Sequence, residues 1–230
     1  MSTITQAFEV SLWGLTVVLV ALSVRGFLKF YEKRVLAQLA WGSGLLLAAG
    51  SMAIEAIVYE GVVSTPILQT YTFLTAALVG ALSLGATRVL RHPKLELGYA
   101  GFIAGASALL AVFCFTTPIA TNSMVSSQGI ITGDPPLSLI LISTLITGPA
   151  TVVLLGATVV ALRRSWRWQT ALMIAGALIL AAGGSLYIGG YPIYLYYAEF
   201  LGIILLFLGL VSLSRMPVPV PQPLVHEDRA

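Results

Sequence analysis

Two carboxyl groups stand where a carboxyl is costly. Glu55 lies inside the apolar stretch 35–59 and Glu199 inside 193–213. The other acidic residues, Glu9, Glu32, Glu60, Glu96, Asp134, Glu227 and Asp228, fall in connections or at the ends of such stretches. A charged carboxylate within hydrocarbon costs roughly 2–3 kcal/mol or more, so it should face protein or water, or take up a proton. At 1.5 Å rise per residue, Glu55 sits about 6 Å and Glu199 about 9 Å from the nearer end of its stretch. None of the twelve Lys and Arg residues falls at that depth. Each carboxyl must therefore be neutral, hydrogen-bonded, hydrated or bound to a cation.

Hydroxyls lie at similar depth: Thr70, Tyr71 and Thr72 in one stretch, Tyr196 and Tyr197 beside Glu199. Seven of the nine tyrosines, Tyr59, Tyr71, Tyr187, Tyr191, Tyr194, Tyr196 and Tyr197, gather on that side. One reading is an interfacial aromatic belt. The other is an outward-facing pocket of Glu55, Glu199, Tyr71, Thr72, Tyr187, Tyr196 and Tyr197. Such a pocket would take a cation, a proton-coupled solute or a quinone headgroup.

Other chemistries lack their residues. His92 and His226 lie outside every apolar stretch, and Cys114 is the sole cysteine. No metal, haem or other cofactor site is expected, and no disulfide. No paired Asp motif and no activated Ser or Cys arrangement occurs in the stretches, so an enzyme is not expected.

The elements that carry these residues follow from composition. The chain of 230 residues is 58% hydrophobic and 9% charged, with a mean hydropathy of +0.95. A soluble domain has about a quarter charged residues. Lipid must cover this surface, and in lipid only helices or a closed barrel satisfy the backbone. Stretches of about twenty residues match helical spans. The expected fold is all-α, a seven-helix transmembrane bundle over residues 1–215. Its spans are Glu9–Leu28, Val35–Tyr59, Ile67–Leu90, Leu97–Phe115, Leu137–Leu162, Trp168–Ile188 and Ile193–Leu213.

The basic residues give the orientation. Arg25, Lys29, Lys33 and Arg34 follow span one; Arg88, Arg91 and Lys94 follow span three; Arg163, Arg164 and Arg167 follow span five. Arg215 and Arg229 follow span seven, and the alternate connections hold none. Positive residues mark the cytoplasmic side, which predicts a cell-membrane protein with its N-terminus outside and its C-terminus inside. The flank before span one carries no positive charge, unlike a signal peptide. The net charge of +3 is scattered rather than clustered, which argues against a nucleic-acid partner.

Thr16–Val24 reads TVVLVALSV and Thr151–Val159 reads TVVLLGATV, with five of nine positions identical. Leu45–Ser51 and Leu178–Gly184 share five of seven at nearly the same offset. These matches suggest repeats 9–90 and 137–213 joined by a linker helix 97–115. Parallel repeats of this kind occur in transporters. The layout resembles those of microbial rhodopsins and SWEET-type sugar transporters in architecture alone. Residues 193–213 contain no lysine for a retinal Schiff base, and the single Pro-Gln pair, Pro221-Gln222, lies in the tail.

Small residues should line the bundle interior: Gly42, Gly44, Ala48, Ala49 and Gly50; Gly176 and Ala181 to Gly184; and Gly101 and Gly105 in a GxxxG. Pro149 should kink span five as a hinge, with Thr144 and Thr147 capping freed carbonyls. Residues 216–230, with proline at alternate positions from 217 to 223, should form a disordered cytoplasmic tail. Expected partners are the lipid bilayer, a small-molecule or cation ligand, and a membrane-protein partner or second copy. The function these features favour is small-solute or ion/proton-coupled transport. The alternatives are a non-catalytic subunit of a membrane complex and a sensor without retinal.

Overall fold

The computed structural model describes residues 3–34, 36–90, 93–126, 129–131, 135–164 and 192–213, with scattered positions between 168 and 179. The helices are α1 (Thr3–Lys33), α2 (Leu36–Tyr59), α3 (Thr65–Leu90), α4 (Pro93–Thr116), α5 (Thr121–Met124), α6 (Leu137–Arg164) and α7 (Pro192–Leu213). Among the described residues there is no strand beyond one antiparallel bridge between Val125 and Ile131. Among the described residues five helices are long and apolar enough to cross a membrane: Glu9–Glu32, Leu36–Tyr59, Thr65–Thr87, Lys94–Thr116 and Leu137–Val160. They coincide with the first five expected spans. The sixth, 168–188, lies largely outside the described residues, as does the tail. The apolar segment Phe200–Gly209 forms the middle of α7.

Local chemistry sets the helix ends. Prolines occupy the first turns of α3, α4 and α7 at Pro66, Pro93 and Pro192, where no intrahelical N–H is required. Gly61 closes α2 with φ +94°. Its N–H donates to the Val58 carbonyl at 3.0 Å, and the Val62 N–H donates to Ile57 at 3.2 Å. That is a Schellman cap, and it needs the left-handed conformation glycine adopts freely. Arg34 ends α1 in the same region, at φ 53°.

Helices α2 and α3 are central. Their apolar windows are 61% and 50% buried, against 22% for α1 and α4 and 17% for α6. Helix α2 packs between α1 and α3, and α3 also packs on α4 and α6. One core joins Leu12 and Leu19 of α1, Trp41, Leu45 and Met52 of α2, Leu82 of α3 and Phe207 of α7. A second joins Val58 of α2, Leu68 of α3, Leu110 and Cys114 of α4, and Leu139 and Ile146 of α6. At one end of the bundle this second core gathers the end of α2, the start of α3, the end of α4 and the start of α6, and it continues inward through Ala76, Ile103 and Ala106. Arg25, Lys94 and Arg163 belong to the opposite helix ends, together with Glu32 and Glu96, so the basic residues of the described helices gather at one end.

Lipid gives little hydrophobic drive between helices, so close backbone contact must supply cohesion. Gly42, Gly44, Ala48 and Ala49 are buried and Gly50 is half-buried, as their small size implied. A β-carbon on Gly44 would lie 2.8 Å from Leu82, and one on Gly176 would lie 2.7 Å from the Gly202 carbonyl oxygen. The GxxxG of α4 departs from expectation. Gly101 and Gly105 are exposed, with nothing within 4 Å of either β-carbon position. Helix α4 meets its neighbours through Ile103, Ala106, Leu110 and Cys114, on the other face.

Helix α6 runs unbroken through Pro149. The carbonyl left without its usual amide donor is that of Leu145, four residues back. Thr144 does not cap it; its hydroxyl donates to Ile140 at 2.7 Å. The Thr147 carbonyl instead accepts from the Thr151 hydroxyl at 2.8 Å. Serine and threonine hydroxyls in helices commonly satisfy themselves on carbonyls one turn back.

Candidate functional site

Nine polar side chains are buried among the described residues: Thr16, Ser23, Gln38, Ser51, Glu55, Gln69, Thr72, Ser83 and Thr87. The hydroxyls are held by backbone carbonyls, as Thr16 is by Leu12 at 2.9 Å, Ser51 by Ala48 at 2.9 Å and Thr72 by Leu68 at 2.9 Å. These bonds remove the cost of burying a hydroxyl. Glu55 is the one ionisable member of this set.

Glu55 is 4% exposed. It lies one turn from the end of α2, on the face shared by Ala48, Met52 and Tyr59 at helical spacing. Those three residues pack in or against the first core. A carboxyl buried on such a face is removed from bulk water, and its two protonation states respond differently to that removal. Such a group can bind and release a proton or small cation in step with changes in its surroundings.

The other expected site residues lie in different settings. Thr72 is buried on α3. Tyr71 is half-buried and packs against the second core, together with Ile54, which neighbours Glu55 on α2. Tyr197 is 42% exposed, and its hydroxyl lies 3.0 Å from that of Ser11, tying α7 to α1. Residues 196 and 199 belong to α7, but the side chains of Tyr196 and Glu199 lie outside the described residues, as does the whole of Tyr187.

Two features were not foreseen. The Trp13 indole N–H donates to Glu60 at 3.1 Å, linking α1 to the end of α2. More consequentially, the connection 117–136 packs onto the helix ends. Ile119, Met124, Ile130 and Ile131 are each at most 7% exposed. Gln69 donates to the Thr117 carbonyl at 2.9 Å, and Thr65 donates to Ile119 at 3.4 Å. The four buried apolar side chains in an otherwise Ser/Thr/Gly/Pro-rich stretch were the available signal.

No family model, curated protein or solved structure matches this chain. The chemistry of the site therefore follows from its own residues. Among the described residues no group of three His, Cys, Asp or Glu could hold a metal ion.

Proposed function

We propose that this protein is a small transporter that couples solute or ion movement to proton or cation binding at Glu55. It works without enzymatic chemistry and without a cofactor. The observation that carries this reading is the burial of Glu55, alone among the acidic and basic side chains of the described residues, within an apolar helical bundle. Intramembrane carboxyls face high cost and persist where they serve a proton or ion path. The internal sequence match of spans one and two with five and six, and the proline within α6, fit a transporter built from two repeats. In this reading the seven spans place the N-terminus outside and the C-terminus in the cytoplasm of the cell membrane. Glu199, Tyr71, Thr72, Tyr187, Tyr196 and Tyr197 complete the ligand pocket, and Pro149 serves as its hinge.

The test is flux in liposomes. Purified protein is reconstituted with a trapped pH dye, and proton movement is followed under an imposed potential and with candidate solutes. Glu55→Gln and Glu199→Gln should abolish proton- or cation-linked flux while leaving helical content unchanged. Flux equal to the unmodified protein in both variants removes the carboxyls from the mechanism.

A second reading is a non-catalytic subunit of a membrane complex. The face of α4 at Gly98, Gly101 and Gly105, where no other side chain approaches within 4 Å of a β-carbon position, favours it. Stable co-purification with other membrane proteins in mild detergent would support this reading. A lone monomer without partners would count against it.

A further inference from the structure

We infer that residues 129–131 form a plug that shields Glu55 from water at its own end of the bundle. Ile130 belongs to the core that contains Met52, about one turn before Glu55 on α2, and Ala56, next to it, together with Leu12 of α1. Ile131 enters the other core, with Val58, Leu68 and Met124. Successive residues of extended backbone point to opposite sides. The arm therefore inserts one side chain into each core and straddles the helix ends between them. Connections ordinarily run over the surface. This one buries Ile130 and Ile131 to 6% and 7% exposure, as deeply as the helices bury theirs.

The arm is built to stay in place. The Gly129 N–H donates to the Ser126 carbonyl at 3.0 Å, and the Ser126 N–H donates to the Ile130 carbonyl at 2.9 Å. The Ile130 N–H donates to the Ser126 hydroxyl at 3.2 Å. The Gly129 N–H and both backbone groups of Ile130 are thus satisfied by Ser126, which eases their burial. Gly129 adopts φ +76°, and a β-carbon there would lie 3.3 Å from both the Cα and the carbonyl oxygen of Tyr59. The arm rests directly on the last turn of α2, four residues beyond Glu55. The hydrogen bonds from Thr65 and Gln69 to Ile119 and Thr117 anchor the start of the same connection to α3.

In this inference, water, a proton or a solute entering along the end of α2 meets the arm before Glu55. The functional meaning of that gate rests on the reading of Glu55 as a binding group; the shielding itself rests on packing. It is tested by thiol labelling in lipid nanodiscs, where both membrane faces are open to reagent. In a Cys114→Ser background, Glu55→Cys is treated with a cationic methanethiosulfonate, with Val62→Cys as an exposed reference. In one set residues 129–131 are native, and in another Gly-Ser-Gly replaces them. Removing the arm should speed labelling at position 55 by at least about tenfold, which corresponds to about 1.4 kcal/mol of opening free energy. Labelling at position 62 should stay the same. Gly129→Val, which presses against the Tyr59 backbone, should give a smaller increase. Equal labelling rates at position 55 with and without the arm overturn the inference, whether both are fast or both are slow. Because labelling needs no transport, the plug can stand even if Glu55→Gln leaves flux intact, and the reverse also holds.

Discussion

A β-carbon on Gly26 would lie 3.0 Å from the Cα of Gly42. Helices α1 and α2 thus cross backbone to backbone, and the Ser23 hydroxyl donates across the crossing to the Gly42 carbonyl at 2.7 Å. Gly26→Ala should force the helices apart and cost about 1–3 kcal/mol, as overpacking of a tight contact does. Ser23→Ala should cost about 1 kcal/mol through the lost hydrogen bond. Gly14→Ala on the same helix meets nothing within 4 Å. It should be neutral or stabilising by up to about 1 kcal/mol, because alanine favours the helix. Thermal unfolding in detergent, followed by circular dichroism, checks the order Gly14→Ala, unmodified, Ser23→Ala, Gly26→Ala.

A second contact joins three helices. A β-carbon on Gly85 of α3 would overlap the indole of Trp41 on α2, whose ring meets Phe207 of α7 edge-on with centroids 6.3 Å apart. Gly85→Ala should therefore displace Trp41 and loosen α7, at a cost of about 1–3 kcal/mol. Trp41→Phe alone should also destabilise by leaving a void. The double variant should be more stable than the sum of the two costs, since the smaller ring makes room for the methyl. Strict additivity in a double-mutant cycle would show that the two side chains do not compete for one space.

These contacts explain what could be read without coordinates. The apolar runs located the first five membrane-length helices, because length and hydropathy dominate in lipid. A charged residue within such a run signals its own burial, and Glu55 is buried. Which face of a span packs inward is a different matter. Helices α4 and α6 carry no clear polar stripe, so nothing in their sequence marks the side that packs inward. Gly101 and Gly105 looked like packing residues for this reason, yet they face outward while Ile103 and Ala106 pack. The buried arm of the long connection was hidden by composition, since its Ser, Gly and Pro content is that of an ordinary loop. Partners such as Ser11 with Tyr197 depend on how α1 meets α7, which no local pattern encodes.

Arg34 holds φ 53° at the end of α1, with its N–H donating to the Phe30 carbonyl at 2.7 Å. Its guanidinium also lies 5.1 Å from the centre of the Tyr31 ring. A left-handed conformation costs a side chain roughly 1–2 kcal/mol, least for glycine and most for β-branched residues. The exposed cation–π contact returns about 0.5–1 kcal/mol. Stability should therefore fall in the order Gly, Arg, Val at position 34, with Gly and Val separated by at least about 1 kcal/mol. Melting temperatures of the three proteins in one detergent check the order.

Cys114 is fully buried in the second core, on the face of α4 that meets α3 and α6. Its thiol should be inert to a maleimide dye in the folded protein and react only as the helices separate. Heating with a thiol-reactive fluorophore should give one cooperative rise, coincident with the loss of helical signal. Reaction at low temperature, well before unfolding, would show that α4 does not pack through this face.

The gathering of the basic residues of the described helices at one end of the bundle makes the orientation testable residue by residue. Val62, Ala120 and Tyr31 are exposed at helix ends or in connections. Val62 and Ala120 adjoin the second core, whereas Tyr31 closes α1 beside Lys29 and Arg34. Positive residues are retained on the cytoplasmic face. In a Cys114→Ser background, Val62→Cys and Ala120→Cys should label on intact cells with a membrane-impermeant reagent. Tyr31→Cys and Lys94→Cys should label only after permeabilisation. Because α2 and α4 both end at the same core, positions 62 and 120 must label together. If they fell on opposite faces, the helices could not each cross the bilayer once, and the depth assigned to Glu55 would fail with them.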